Sequence, residues 1–345
     1  MNMRPPKARL EDIAKHAGVG LATVDRVLNE RGGVSERTTA RVLDSARQLG
    51  TNRILPTGKW RQLSIEAVFA RTPSSYSQRL NQSLQRVTRL VDLPAIIYRT
   101  HIDVGRPERL VAHLESVADN RDGIILFAND LPEIASALRS LSAKTVIVTI
   151  STDIPDSGRH CYVGIDNFNA GQSAAKISEA ICRKGGRVLV IEPEINARAQ
   201  VERMAGFRHF FNDRDIIDCM AVFNPPAKTS TALAKILQIL EAEDDLRAVY
   251  SPTNSEFLEK VIEAGRHAKA IRSVAKIVHD LSPHSIENLR SGLIDMVIDS
   301  NPMQQAYQAV DFIARQHGYE SETTMASVDF QLYTSENLPR TDVLS

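Results

Sequence analysis

Residues 10–50 read LEDIAKHAGVG, LATVDRVLNE, RGGV and SERTTARVLDSARQLG. Leu10, Ile13, Ala14 and Ala17 recur at helical spacing, which predicts a first short helix with one apolar face. Val24, Val27 and Leu28 form a second small stripe, and Val42, Ala46 and Leu49 a third. Gly18-Val19-Gly20 separates the first two helices. A glycine there can take positive φ, and the valine can plug the core. Ser35 is placed to cap the third helix, with Glu36 favouring its dipole. Helix, short glycine-containing turn and helix make a helix-turn-helix, whose second helix enters the DNA major groove.

Charge supports this reading. The 345-residue chain has zero formal net charge, but residues 1–62 hold 12 Lys+Arg against 6 Asp+Glu, so the remainder is acidic. A basic head on an acidic body suits nucleic-acid binding by the head. The length exceeds one ordinary domain, and 43% hydrophobic with 24% charged residues is the composition of a globular protein with ample core. The three cysteines, Cys161, Cys182 and Cys219, have no metal spacing and read as thiols in a reducing compartment. The chain passes straight into a charged helix without a signal-peptide pattern, and no apolar run is long enough to span a bilayer. A cytoplasmic protein without membrane contact is the expectation.

On the second helix Ala22, Asp25, Arg26 and Asn29 share the outer face, with Leu21 beside them. These groups can read base edges: Arg suits guanine, Asn suits adenine or phosphate, and apolar atoms suit the thymine methyl. The same face would also serve as the solvated side of a small helical bundle, and spacing alone leaves both readings open.

Residues 12–38 contain Asp12-Ile13-Ala14, Ala17-Gly18-Val19-Gly20, Thr23-Val24-Asp25-Arg26-Val27-Leu28-Asn29 and Val34-Ser35-Glu36-Arg37-Thr38. This run resembles the DNA-binding head of the lactose-repressor (LacI/GalR) family. The resemblance implies a lambda-repressor-like head over residues 1–50 and a dimeric regulator reading a palindromic operator. It assigns base reading to Leu21, Ala22 and Arg26. It assigns phosphate contact or capping to Thr23, Asn29, Ser35 and Thr38. Two departures stand out. Gly20 replaces a serine and loses a hydroxyl, and Asp25 replaces another. Phosphate would repel a carboxylate, so Asp25 is expected to face a base or an arginine and to help choose the operator. A carboxylate can accept from cytosine N4.

Residues 51–62, TNRILPTGKWRQ, form a linker. Pro56-Thr57-Gly58 breaks a helix where the family has its minor-groove hinge helix, and the hinge leucine has no counterpart. Arg53, Lys59 and Arg61 could meet phosphate, with Trp60 packing at the junction. The stretch reads equally well as a plain tether.

From residue 63 to 345, strand-like and helix-like runs alternate. The predicted strands are 63–69, 95–99, 123–128, 145–150, 161–166, 187–192, 216–223, 248–251, 275–280 and 294–299, with one more at 326–333. Apolar, β-branched strands separated by amphipathic helices indicate parallel sheets covered on both faces. Ten such strands predict two doubly wound subdomains, with ligand between them at the strand carboxyl ends.

The body also resembles the periplasmic-binding-protein-like effector domain of the same family. The matches are Tyr162-Val163-Gly164-Ile165-Asp166-Asn167 with Ala170-Gly171, Arg203-Met204-Ala205-Gly206-Phe207-Arg208, Asn254, Asp280 and Ile298-Asp299-Ser300-Asn301-Pro302. The resemblance implies effector contacts at Asp166, Arg203, Asn254, Asp280 and Asp299. Tyr76, in the loop after the first strand, and Phe223 are candidate stacking residues. A sugar or polyol suits this set, because hydroxyls need paired donors and acceptors over an aromatic face. Each carboxylate could instead cap a helix or close a turn. Ser255 and Ser300 replace the family's usual Asp and Gln, which points to an altered ligand.

No dinucleotide fingerprint, phosphate loop or nucleophile elbow is present, and the nine histidines lack metal-ligand spacing. No catalytic residue, metal or cofactor is therefore expected. The expected partners are operator DNA, a sugar-like effector and a second copy of the chain, as a dimer or tetramer. The competing readings are a sugar-modifying α/β enzyme with an unrelated helical N-terminus, and a ligand-binding module without DNA binding.

Overall fold

Three short helices, α1 (Leu10–Ala17), α2 (Leu21–Leu28) and α3 (Glu36–Gln48), close around the predicted apolar stripes. Ile13, Ala14 and Ala17 meet Val24, Val27 and Leu28 and then Val42, Leu43 and Ala46, all buried, with Leu10, Val19, Val34 and Leu49 at the margin. The Asp12 carboxylate accepts the backbone N–H of Arg9 at 2.8 Å, which ties down the start of α1. Gly18 ends α1 in the left-handed region at φ +62°. Ser35 caps α3: its carbonyl accepts from the N–H groups of Thr38 and Thr39 at 3.0 and 2.9 Å.

The structure is a computed structural model, and it describes residues 9–29, 31–50, 62–71, 73–90, 93–182, 185–191, 197–211, 219–220, 229–253, 256–319 and 328–339. The chain divides into two compact units, Met1–Gln62 and Leu63–Ser345. The expectations for Trp60, Arg53, Lys59, Arg61 and the hinge fall outside the described residues, as do those for Phe223, Asn254 and Ser255.

The second unit alternates strand and helix as its sequence pattern dictates. Its first half runs β1 (Leu63–Ala70), α4 (Ser75–Leu90), β2 (Ala95–His101), α5 (Pro107–Ala118), β3 (Gly123–Ala128), α6 (Pro132–Leu141), β4 (Val146–Ile150) and β5 (Cys161–Val163). The strands are parallel in the order β2-β1-β3-β4-β5. Its second half runs α7 (Asn167–Ile181), β6 (Arg187–Val190), α8 (Arg198–Phe211), β7 (Cys219–Met220), α9 (Thr229–Ala242), β8 (Leu246–Tyr250), α10 (Glu256–Ala264), α11 (Lys269–Arg272), β9 (Ala275–His279), α12 (Pro283–Arg290) and β10 (Met296–Asp299). The chain then forms α13 (Pro302–Gln316) and β11 (Gln331–Tyr333). The second sheet has the order β11-β10-β9-β8-β6-β7, with only β11 antiparallel to its neighbour among the described pairings.

Residues on alternate faces of the first sheet go to different helices. Ile124, Leu126 and Ala128 join Leu110, Leu114, Ile134 and Leu138 of α5 and α6 in one buried cluster. Gly123 faces the other way, so close to α13 that a Cβ there would lie 2.6 Å from Ile313. Helix α13 packs on α4 and β4, so the chain returns from the second half to the first after β10 and then goes back to form β11. The two halves are thus linked by three passages of the chain. Val328, on the passage from α13 to β11, pairs with Ile165, on the passage from β5 to α7.

Candidate functional site

On the head, the outer face of α2 is open. Leu21 is 47% exposed, large for an apolar side chain. Ala22, Arg26 and Asn29 are exposed, and Thr23 and Asp25 are half-buried. Asp25 faces an arginine: Arg31 Nη1 donates to its Oδ2 at 2.9 Å, and the Asn29 amide donates to its Oδ1 at 2.7 Å. The same amide reaches the Asp25 carbonyl at 3.0 Å. Asp25 therefore orders the end of α2 and the start of the following loop. Ser35 Oγ accepts from Thr38 N–H at 3.4 Å and lies 2.8 Å from the Thr38 hydroxyl.

In the body, side chains from both halves converge where the strands end. Arg203 is placed by helix contact. A Cβ at Gly171 of α7 would lie 1.9 Å from the Arg203 carbonyl oxygen, and one at Gly206 of α8 would lie 2.0 Å from the Phe168 carbonyl oxygen. Only glycine allows the two backbones to cross that closely. Arg203 is 5% exposed. Its guanidinium donates to Asn167 Oδ1 at 2.9 Å, the Pro252 carbonyl at 3.0 Å and Ser300 Oγ at 2.9 Å, and lies 3.5 Å from Asp280 Oδ2.

Asp280 Oδ1 accepts from the Ser300 hydroxyl at 2.5 Å and the Ser300 N–H at 3.1 Å. Ser300, the departure from the family pattern, is thus the bridge between Arg203 and Asp280. Asp299 is occupied differently from the expected effector contact. Arg79 of α4 holds it with bonds of 2.6 and 3.2 Å, and the N–H groups of Leu281 and Asn301 donate to it at 2.8 and 3.1 Å. Burial opposes the Arg79 charge, but Asp299 beside it holds the guanidinium above its usual pKa.

Tyr76 lies on α4, not in a loop. Ser74 and Ser77 exchange backbone-to-hydroxyl bonds of 2.8 and 3.2 Å and start the helix before it. Its hydroxyl is 2.7 Å from Ser151 Oγ, and Ser151 donates to Gln305 Oε1 at 2.7 Å. Burial, with Asp280 adding to it, pushes the phenol pKa well up, so Tyr76 stays neutral. Asp166 does not join this network. It caps α7, accepting from the Asn169 N–H at 2.8 Å and the Asn169 amide at 2.6 Å, and it is exposed.

Among the described residues, three non-glycine residues hold positive φ: Ser151 (65°), Asp280 (61°) and Asn301 (52°). Strain of this kind persists only where surrounding bonds fix it, and it gathers at functional sites. All three belong to this convergence. The sequence singles out Ser300 as a departure in a matched motif and contains Asn167 in another, but it does not mark Arg79, Ser151 or Gln305 as members.

Among the described residues, no group of three His, Cys, Asp or Glu side chains is placed to hold a metal ion, and no helix is long and apolar enough to cross a membrane.

Residues 9–50 match the model for bacterial regulatory proteins of the lacI family, and residues 103–320 match that for the periplasmic binding protein domain. The chain is 29% identical over 173 residues to the HTH-type transcriptional regulator RegA of Clostridium acetobutylicum, covering 48% of this chain and 50% of that one. It is 25% identical over 215 residues to the RegA of Clostridium saccharobutylicum, covering 60% and 62%. The chain thus spans between half and two thirds of the length of these curated relatives. An ABC transporter solute-binding protein from Burkholderia graminis, solved with D-arabinose, superposes with a TM-score of 0.69 at 17% identity, covering 81% of this chain and 98% of that one. That likeness establishes the fold.

Proposed function

Because this chain belongs to the periplasmic-binding-protein domain family through its body and to the lacI family of bacterial regulatory proteins through its head, we propose that it is a sequence-specific DNA-binding transcription regulator. A small sugar or polyol in the body's cleft controls its operator affinity, and its default action is repression. The observation that carries this is the open face of α2, Leu21, Ala22 and Arg26, on a unit with its own core. The curated relatives carry regulator names, which favours this reading over a sugar-modifying enzyme. D-arabinose in the fold neighbour supports a sugar-like effector, which Arg203, Asp280 and Tyr76 could meet with donors, acceptors and an aromatic edge.

Ligand acts by favouring one arrangement of the two halves, and the difference in its affinity for the arrangements is the coupling to DNA. The protein works as a homodimer in the cytoplasm, one head per half-site. Strand β2 lies at a sheet edge with Ile96 40% and Tyr98 41% exposed, which suits a subunit contact. Asp25 contributes to operator choice by fixing Arg31 and Asn29, rather than by meeting phosphate itself.

The test is selection of binding sites from random DNA by the full-length protein, followed by retardation assays as salt rises. Affinity falls steeply with salt, because phosphate contacts dominate. A failure to enrich any sequence, or an Arg26→Ala variant that binds the selected site as well as the parent, would overturn the reading. An unchanged selected sequence for Asp25→Ser would remove Asp25 from specificity alone.

A further inference from the structure

The first sheet reverses its strand order between β1 and β3. Open α/β sheets take their ligands at such a point, beyond the carboxyl ends of the strands. Arg71 is the residue after β1, and Asn129 is the residue after β3. They meet there: Arg71 Nη1 donates to Asn129 Oδ1 at 2.6 Å. The guanidinium carbon lies 5.4 Å from the centre of the Phe127 ring, which also packs edge to face with Tyr76 and Phe69 at centroid distances of 6.0 and 6.5 Å. Among the described residues, one hydrogen bond and one ring face hold Arg71 in place.

The other arginines around the cleft have carboxylates. Arg79 has Asp299, Arg203 has Asp280, and Arg198 has Glu202 at 2.9 Å and Asp130 at 3.5 Å. Arg198 and Asp130 come from opposite halves, so their pair stands across the mouth of the cleft. Arg71 has no carboxylate partner among the described residues, although its side chain is half-buried. A guanidinium without a counter-charge in such a place costs free energy, and a planar fork of N–H groups matches a carboxylate or phosphate.

We propose that Arg71 is a subsite for an anionic group, so that the effector is a sugar-like molecule carrying a carboxylate or a phosphate. The proposal rests on the reading of the cleft as the effector site and narrows the ligand class within it. Burial pushes Arg71 down to about 10, which still leaves it charged at neutral pH. A neutral sugar would leave this cation unanswered, whereas an anion at the β1–β3 switch point would complete it. The anion also explains why Asn129, an uncharged acceptor, holds the guanidinium: it orients the fork without neutralising it.

The experiment is calorimetric titration and thermal shift of the full-length protein with matched probes. These are D-galacturonate against D-galactose, D-glucuronate against D-glucose, and D-glucose 6-phosphate as the phosphate arm. The expected result is that one acidic probe binds at least about tenfold tighter than its neutral counterpart, the size of one charge-assisted pair. Whether a carboxylate or the phosphate probe wins identifies the anion. Arg71→Gln removes that preference while keeping residual binding, and ligand-free Arg71→Met melts no lower than the parent. Neutral probes that bind as tightly as acidic ones, or a preference that survives Arg71→Gln, overturn the subsite and leave the sugar reading standing. If no probe of either kind binds the parent, the sugar reading falls and the subsite with it. A ligand-free Arg71→Met that melts well below the parent shows a structural cation and also overturns the subsite.

Discussion

Arg79 Nη1 lies 2.6 Å from Asp299 Oδ1, in an ion pair joining the first helix of one half of the body to the last parallel strand of the other. Arg79 also donates to the Leu281 carbonyl at 2.9 Å. The Asp299 side chain is only 2% exposed. Arg79→Ala leaves that carboxylate buried without its cation, a change that costs about 3 kcal/mol or more. Urea unfolding should move to lower denaturant accordingly. Arg79→Ala with Asp299→Asn should recover part of the loss, because the stranded charge is gone. A single variant as stable as the parent would show that the pair contributes nothing.

The crossing of α7 and α8 makes a second prediction. Gly206→Ala sets a Cβ against the Phe168 carbonyl, and no flexible side chain can give way there. We expect a loss of about 2–3 kcal/mol from overpacking. Displacing Arg203 should also weaken effector binding by more than its stability loss implies. Thermal melts with and without ligand measure both effects. Unchanged melting and binding would mean that the helices part at no cost.

On the head, Arg26→Ala should lower operator affinity by about 1–3 kcal/mol and relax preference at one base position. Thr38→Ala, at a position assigned to phosphate contact or capping, should weaken binding to all sequences alike. Retardation assays on the selected operator and single-base variants distinguish the two patterns.

Acid stability should depend on Glu66. Burial raises its pKa, but hydrogen bonds from Thr100 (2.6 Å), Arg121 (2.9 Å) and His113 (3.1 Å) outweigh that and hold it below the ordinary 4.5. A carboxyl whose folded pKa is depressed stabilises the fold fully above its unfolded value. That contribution disappears as pH falls from about 4.5 through the folded value. Glu66→Gln should therefore be less stable than the parent at pH 7 by about 1–3 kcal/mol, and the gap should narrow towards pH 3. Melting temperatures across that range measure it. A constant gap would exclude the titration.

Periodicity carried most of the fold. The described strands fall within or next to the predicted runs, because parallel strands buried on both faces are written as continuous apolar stretches. The site was half legible. Asp280 and Arg203 stand in short motifs at an element's end or on its face, where a reader looks. Arg79 was hidden because a cation on an amphipathic helix reads as solvated surface, and its partner lies 220 positions away. Tyr76 belongs to α4 and not to the loop expected after the first strand, because Ser74 and Ser77 start the helix before it. Asp166 had both readings in its sequence, and the structure shows the helix cap. Arg71 follows a strand with no motif around it, and only the order of strands gives its position meaning.

The return of α13 to the first half has a consequence for biosynthesis. The head owns its core and can fold as soon as α3 has left the ribosome. The first sheet cannot finish then. The face containing Gly123 waits for Ile313, almost two hundred residues later in translation. A nascent chain stalled before α13 should carry a folded head and a bare sheet face that chaperones recognise. On the proposed function, any operator occupancy by such an incomplete polypeptide would be uncoupled from an effector.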